Sequence, residues 1–320
     1  MDIGVRDKLM NEKRGALMDF KQRDASSYDE LTDEFDRFTE RFTGAIAARV
    51  VELAQLIPGE RVLDVGSGTG VVTFKAATKV TAAGRVTGID LSDGMLRKAQ
   101  EKSTQAGSTA QITFLKMDAE ALTFPNASFD CVLSLCALRH FPRPDVALTE
   151  MRRVLRPGGR VVVAVGSGPT LFSRHGLSAA YRRIGAILGG LRGKRDLLAC
   201  GHLNELIERH LPIANSDEEA GWTKAHHVSS SVPRMMRSAG FGGINTTWAG
   251  HDRIVDSKDD FWDVQVTFSS IARKRLATAS ADAVARLRRE FDASCTRAKK
   301  AGGCLRYPTG ALIVTGTARG

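Results

Sequence analysis

Val62-Leu-Asp-Val-Gly-Ser-Gly-Thr-Gly70 sets glycines at 66, 68 and 70 directly after a short apolar run and directly before an amphipathic one. A ligand approaches backbone closely only where no Cβ intervenes, so this pattern describes a strand entering a helix through a turn with an open backbone face. The rhythm then repeats. Apolar runs at 61–65, 85–90, 111–116, 129–134 and 160–165 alternate with helical stretches at 70–77, 93–106 and 145–155. Runs without polar alternation fit strands covered on both faces. Strands alternating with helices predict right-handed crossovers and a doubly wound sheet. The fold class expected is α/β, with a mostly parallel, seven-stranded, Rossmann-like sheet and helical insertions forming a cap.

The rest of the chain is placed around that sheet. Residues 1–27 are polar and aperiodic and read as a mobile or loosely docked tail. Residues 28–165 form the core, led by a lid helix in which Tyr28, Leu31, Phe35, Phe38 and Phe42 share one face, closing at Pro58-Gly59. A helical insertion is expected over 166–232, a late strand region over 233–251, a second helical insertion over 252–308 and the last strand over 309–320. Connections leaving the C-terminal edge of a parallel sheet are well placed to build a ligand pocket. Leu177, Tyr181, Ile184, Phe261, Trp262 and Phe268 are therefore expected either to line an apolar cavity there or to pack the insertions onto the sheet. No Pro-, Ser- or Gly-rich linker separates independent domains, and no internal repeat is present.

Composition excludes several classes. With 42% hydrophobic and 26% charged residues the chain is neither disordered nor fibrous. No apolar run reaches the roughly 18 residues of a membrane span. Residues 1–20 lack the apolar stretch of a secretory signal, and a cytoplasmic location is expected. Five cysteines without CxxC spacing argue against a disulfide framework and against structural zinc. The net charge of +10 is uneven: residues 1–60 hold 9 Lys/Arg against 13 Asp/Glu, whereas residues 271–320 hold 11 against 3. That asymmetry suits either a solvated basic face or an acidic partner.

The glycine turn narrows the ligand. A dinucleotide fingerprint needs its third glycine one place later, where Val71 stands, and no phosphate loop is present. Asp90 ends the second strand, where an acid can accept from both ribose hydroxyls. Asp118-Ala119 follows the third strand, where a carboxylate can meet an exocyclic amine, and Met95 can pack on a ring face. Singly, such aspartates also serve as helix caps and Met95 as core. Their order on one βαβαβ pattern is what joins them.

These residues resemble the class I S-adenosylmethionine-dependent methyltransferases, and within them the ubiquinone/menaquinone-biosynthesis (type 11) group. The likeness rests on Val62–Gly70, Gly88-Ile-Asp-Leu-Ser92, Met117-Asp-Ala-Glu-Ala-Leu122, Phe124–Asp130 and Glu150–Gly159. It covers about residues 28–165 and the final strand. It implies S-adenosylmethionine as cofactor, with the glycine turn on its amino-acid end, Asp90 on the ribose and Asp118 on the adenine. The full set expected at the cofactor is Asp64, Gly66, Ser67, Gly68, Gly70, Asp90, Leu91, Met95, Asp118, Ala119, Glu120 and Leu135. The chain departs from the group at Arg143, where an acid often follows the His-Phe-Pro turn, and in the length of 252–308.

Methyl transfer from a sulfonium asks the protein mainly for alignment and a dry pocket. A base is needed only where the nucleophile must lose a proton, and His140, just past the fourth strand, is the candidate. His226, His227 and His251 with Asp252 lack metal-ligand spacing, and no metal is expected. The function expected is methyl transfer to a small apolar or aromatic metabolite, with no membrane span, nucleic acid disfavoured and the oligomeric state open. The alternatives are an RNA or carrier-protein-bound acceptor, suggested by the basic C-terminal region, or a non-catalytic cofactor-binding homologue.

Overall fold

The structure, a computed structural model, describes residues 20–106, 111–167, 197–211 and 228–319. Leu177, Tyr181, Ile184, His226, His227 and the first 19 residues lie outside them. Helix α1 covers residues 20–29. There follow α2 (Thr32–Ala54), β1 (Arg61–Val65), α3 (Val71–Val80), β2 (Arg85–Asp90), α4 (Asp93–Ala106), β3 (Gln111–Lys116), β4 (Phe129–Leu135), α5 (Pro144–Val154) and β5 (Leu155–Gly166). The second half comprises β6 (Leu197–Leu198), α6 (Ala199–His210), α7 (Val228–Ser238), β7 (Phe241–Ile254), α8 (Lys258–Phe268), α9 (Ser270–Thr278), α10 (Ala281–Lys300) and β8 (Leu305–Ala318).

The sheet runs β3-β2-β1-β4-β5-β8, with β7 and the two-residue β6 both paired to β8. The strands from β3 to β5 are parallel, and β8 is antiparallel to both β5 and β7. The seven expected strands are present, and β6 is the small addition. Neighbouring residues of one strand face opposite layers. Val62 packs with α2 and α3 through Ile46, Val50, Val72 and Ala76, while Leu63 and Val65 pack with α5 and α7 through Leu148, Met151 and Met236. Asp64 thus falls on the α3 side, buried among apolar groups.

The N-terminal region departs from expectation. The helix does not begin at Tyr28 but runs from residue 20 and breaks at Glu30–Leu31. Thr32 causes the break, its hydroxyl donating to the carbonyls of Tyr28 and Asp29 that would otherwise carry the helix on. Residues 20–27 are therefore a docked helix rather than a tail: Lys21 and Asp24 are 6% and 4% exposed. The acidic side of α2 is tied to the neighbouring helices while staying largely exposed, since Asp33, Asp36 and Glu40 pair with Lys98, Lys102 and Lys75 of α4 and α3.

Residues 257–300 read as one helical stretch, but serine caps divide them into three helices. Ser257, Ser269 and Ser280 each accept backbone N–H groups at the starts of α8, α9 and α10. These helices and α6 share a separate core with Phe38 and Phe42 of α2, in which Leu206, Phe261, Leu287 and Phe291 are fully buried. Phe261 stacks on Phe291 at 5.7 Å, and Trp262 meets Phe291 edge-on at 5.1 Å with the Arg288 guanidinium 4.9 Å from its ring. Of the two readings of these side chains, the structure gives packing for Phe261 and Trp262. Truncation of a fully buried phenylalanine costs about 3–5 kcal/mol. Phe291→Ala should lose stability of that order in denaturant titration; a loss below about 1 kcal/mol would mean that the cap has no such core.

Candidate functional site

The glycine turn leaves β1 at the C-terminal edge of the parallel strands. Gly66 and Gly68 both hold positive φ, at 71° and 52°. A Cβ on Gly66 would stand 2.2 Å from the Ala137 Cβ, so the glycine lets the loop after β4 lie directly on the turn. A Cβ on Gly68 would stand 3.6 Å from the Phe35 ring, an ordinary contact distance, so it is the positive φ and not crowding that favours glycine there. The backbone N–H groups of Gly66 and Ser67 both donate to the Ile89 carbonyl, tying the turn to β2.

Three buried polar atoms around this turn find no hydrogen-bond partner among the described residues: Asp64 Oδ1, Ser67 Oγ and Thr69 Oγ1. The other Asp64 oxygen accepts from the Thr73 hydroxyl at 2.6 Å. Burial pushes the Asp64 carboxyl up to about 7, against the Thr73 hydrogen bonds and with help from the nearby Asp90 charge. A buried carboxylate oxygen with no donor fits a ligand that brings an ammonium or hydroxyl.

Asp90 divides its oxygens between Gly68 N–H at 2.9 Å and Ser92 N–H at 3.0 Å. Burial raises its pKa, and the N–H groups of Ser92, Gly68 and Leu91 oppose the rise. Met95 is buried, its N–H on Ser92 Oγ. Leu91 and Leu135 are half-buried at the ends of β2 and β4. Asp118 Oδ2 and Glu120 Oε2 both accept from Lys21 Nζ at 2.7 Å, and Ala119 between them is buried. Glu120 also takes the backbone N–H and the guanidinium of Arg143. The basic residue at 143 thus has an internal partner.

His140 ends a short 3-10 turn at Leu138–His140. Its Nδ1 lies 3.0 Å from Asp24 Oδ2, and its Nε2 lies 3.3 Å from the Tyr28 hydroxyl. Burial alone would raise Asp24, but the His140 hydrogen bond and charge, with Lys274 and Arg273, outweigh it and hold the carboxyl below its ordinary value. Burial raises the Tyr28 phenol, so it stays neutral. The Arg273 guanidinium lies 4.1 Å from the Tyr28 ring centre. Phe35 meets both Tyr28 and Phe268 edge-on, at 5.8 and 5.5 Å, and Tyr307 and Phe42 extend this run of rings.

The structure thus gathers the glycine turn, Asp90, Asp118 and His140 along one edge, under α1, the start of α2 and α9. Lys21, Asp24, Asp29 and Arg273 were not anticipated. Asp29 accepts from Ser92 Oγ and Gly94 N–H, placing an anion at the start of α4. A signal for two of these existed: Lys21 and Asp24 continue the 3-4 spacing that starts at Tyr28, with polar side chains in place of apolar ones. His251 sits apart, near Arg49 and Arg253, its Nε2 without a partner among the described residues. Among the described residues no cluster of three His, Cys, Asp or Glu could hold a metal, and no helix is long and apolar enough to cross a membrane.

The family model that matches is a methyltransferase domain, over residues 62–159. The ubiquinone/menaquinone biosynthesis C-methyltransferase of Pseudomonas putida (strain F1) is 30% identical over 247 residues, which are 73% of this chain and 93% of that protein. The protein of the same name from Pseudomonas paraeruginosa is 34% identical, over 69% of this chain and 82% of its own length. In fold, the YcgJ protein of Bacillus subtilis superposes with a TM-score of 0.51 at 18% identity, covering 86% of this chain and 99% of that one. A candidate methyltransferase from Bacillus halodurans gives 0.51 at 19%, covering 86% and 100%.

Asp90→Ala removes the acceptor of both turns and, on the expectation that Asp90 holds the ribose, a charged contact to ligand. A charged hydrogen bond is worth about 1.5–3 kcal/mol, or roughly 10–150-fold. Calorimetry with S-adenosylhomocysteine should show at least a tenfold loss of affinity, and an unchanged dissociation constant would sink the assignment. Asp64 predicts a pH dependence. Its proton is held more tightly in the folded chain than at the ordinary 3.8, so its stability contribution is full below about 4 and is lost as pH rises through about 7. The melting temperature of the ligand-free protein should fall across that window, and Asp64→Asn should flatten the fall; an equal slope in both proteins would contradict it.

Proposed function

The chain belongs to the class I S-adenosylmethionine-dependent methyltransferases, resembling the ubiquinone/menaquinone-biosynthesis group, and on that premise we propose that its acceptor is a small hydroxylated aromatic metabolite methylated on a ring carbon. S-adenosylmethionine supplies the methyl group as an activated sulfonium. The residues present fit that cofactor: Asp64 Oδ1, Ser67 Oγ and Thr69 Oγ1 are buried polar atoms with no partner among the described residues. We assign the amino-acid end to the glycine turn with Asp64, the ribose to Asp90 and the adenine to Asp118, Ala119 and Met95.

One observation carries the choice of acceptor. A run of aromatic rings, Tyr28, Phe35, Phe268 and Tyr307, begins at the glycine turn, where the Phe35 ring comes within contact distance of Gly68, and beside the His140 imidazole. Rings at edge-on spacing offer a flat apolar ligand favourable contacts. A hydroxylated ring needs its O–H proton removed before a ring carbon is nucleophilic enough, and His140 is the base placed to take it. The curated relatives are named as C-methyltransferases of quinone biosynthesis, which supports carbon over oxygen. A polyanionic acceptor draws less support. Arg273 and Lys274 face Tyr28 and Asp24, and Arg288 pairs with Asp259 and Asp292, so part of the C-terminal basic charge is engaged internally.

Label transfer from methyl-labelled S-adenosylmethionine tests this against a reduced 2-alkyl-1,4-naphthoquinone, a catechol, a fatty alcohol and bulk tRNA. The label should appear on a ring carbon of the hydroxylated aromatics. Label on oxygen, or on tRNA or fatty alcohol alone, would overturn the acceptor class. His140→Ala should lower kcat by about 10²–10⁴.

A further inference from the structure

We propose that Asp24 is a positioning residue: it grips His140 through Nδ1 and so leaves Nε2 as the atom that receives the acceptor's proton. This rests on the role given above to His140. The tautomer follows from the partners. Asp24 is ionised and can only accept, so Nδ1 carries the hydrogen across the 3.0 Å contact. Nε2 then holds the lone pair and accepts from the Tyr28 hydroxyl at 3.3 Å. That distance is long for an O–H donor, so an acceptor hydroxyl can displace it. The acceptor's O–H bond then breaks as the Nε2–H bond forms, and Asp24 stabilises the resulting imidazolium; once the methyl group has passed from sulfur to the ring carbon, that carbon's C–H proton is lost to water as the oxygen regains its proton from Nε2, which restores the aromatic ring and the neutral imidazole.

Fastening α1 does not require this contact. Lys21 holds the helix at one end through Asp118 and Glu120, and Asp29 holds it at the other through Ser92 and Gly94. Between those anchors a buried carboxylate is costly, and an apolar residue would serve packing better. Its surroundings are built for an anion: Asp24 faces His140, the Lys274 ammonium stands 3.5 Å from its Oδ1, and Arg273 lies over the neighbouring Tyr28. A second-partner carboxylate that fixes a histidine's tautomer is a recurrent device in acid–base sites.

The test uses the full chain labelled with ¹⁵N and long-range ¹H–¹⁵N spectra of His140, assigned with His140→Gln. Wild type should show hydrogen on Nδ1, and Asp24→Asn should show a mixed or reversed tautomer. With the reduced naphthoquinone as acceptor, Asp24→Asn should lower kcat about 10–100-fold, with KM and S-adenosylhomocysteine affinity within about twofold. Asp24→Glu should recover part of kcat. The proposal fails if wild type carries its hydrogen on Nε2, if Asp24→Asn leaves the tautomer unchanged, or if rate, cofactor affinity and melting temperature fall together. The spectra need no acceptor, so they decide the role of Asp24 even where the naphthoquinone is not methylated.

Discussion

Asp90 is the joint on which the cleft depends. One oxygen takes the Gly68 N–H and the other the Ser92 N–H, so a single carboxylate at the end of β2 fixes both the turn leaving β1 and the turn entering α4. Charge-assisted bonds to backbone are among the stronger ones available, and these sit in a buried setting where they are strongest. The loop after β4 then lies on the glycine turn through Ala137 against Gly66, which brings His140 to the same edge. Helix α1 closes the arrangement by reaching the loops after β2, β3 and β4, through Asp29, Lys21 and Asp24 respectively.

Burial and charge are played against each other along this edge. Asp64 is pushed up because little offsets its desolvation, whereas Asp24, also buried, is held down by His140, Lys274 and Arg273. The two aspartates are therefore shifted in opposite directions, Asp64 toward its neutral form and Asp24 toward its charged one. On the proposed reading a cationic ligand would draw Asp64 into its charged form, and an ionised Asp24 steers an imidazole.

The sheet and the cofactor edge could be read from the chain because their signals are local. Apolar runs of strand length, the spacing of Gly66, Gly68 and Gly70, and aspartates at strand ends are each fixed by neighbours in sequence. The docking of residues 20–27 could not, because the partners of Lys21 and Asp24 lie about a hundred residues away at Asp118, Glu120 and His140. A polar stretch whose partners are distant looks like a tail. The same holds for Arg273, whose contact with Tyr28 joins the two ends of the chain. The division of 257–300 into three helices was available locally, in Ser257, Ser269 and Ser280, but helical periodicity masked it.

Strands β7 and β8 are each 14 residues long, and their pairing continues past Gly166, where β5 ends, out to Ile254 and Arg306. Helices α8 to α10 hang from the far end of this two-stranded ribbon. A module attached in that way enters and leaves the chain at adjacent points, so it can be lengthened, trimmed or exchanged without rethreading the sheet. On the proposed reading, in which Phe268 and Tyr307 help to form the acceptor site, acceptor selectivity can therefore drift on a different evolutionary clock from the grip on the methyl donor, assigned to strands that the ribbon does not interrupt.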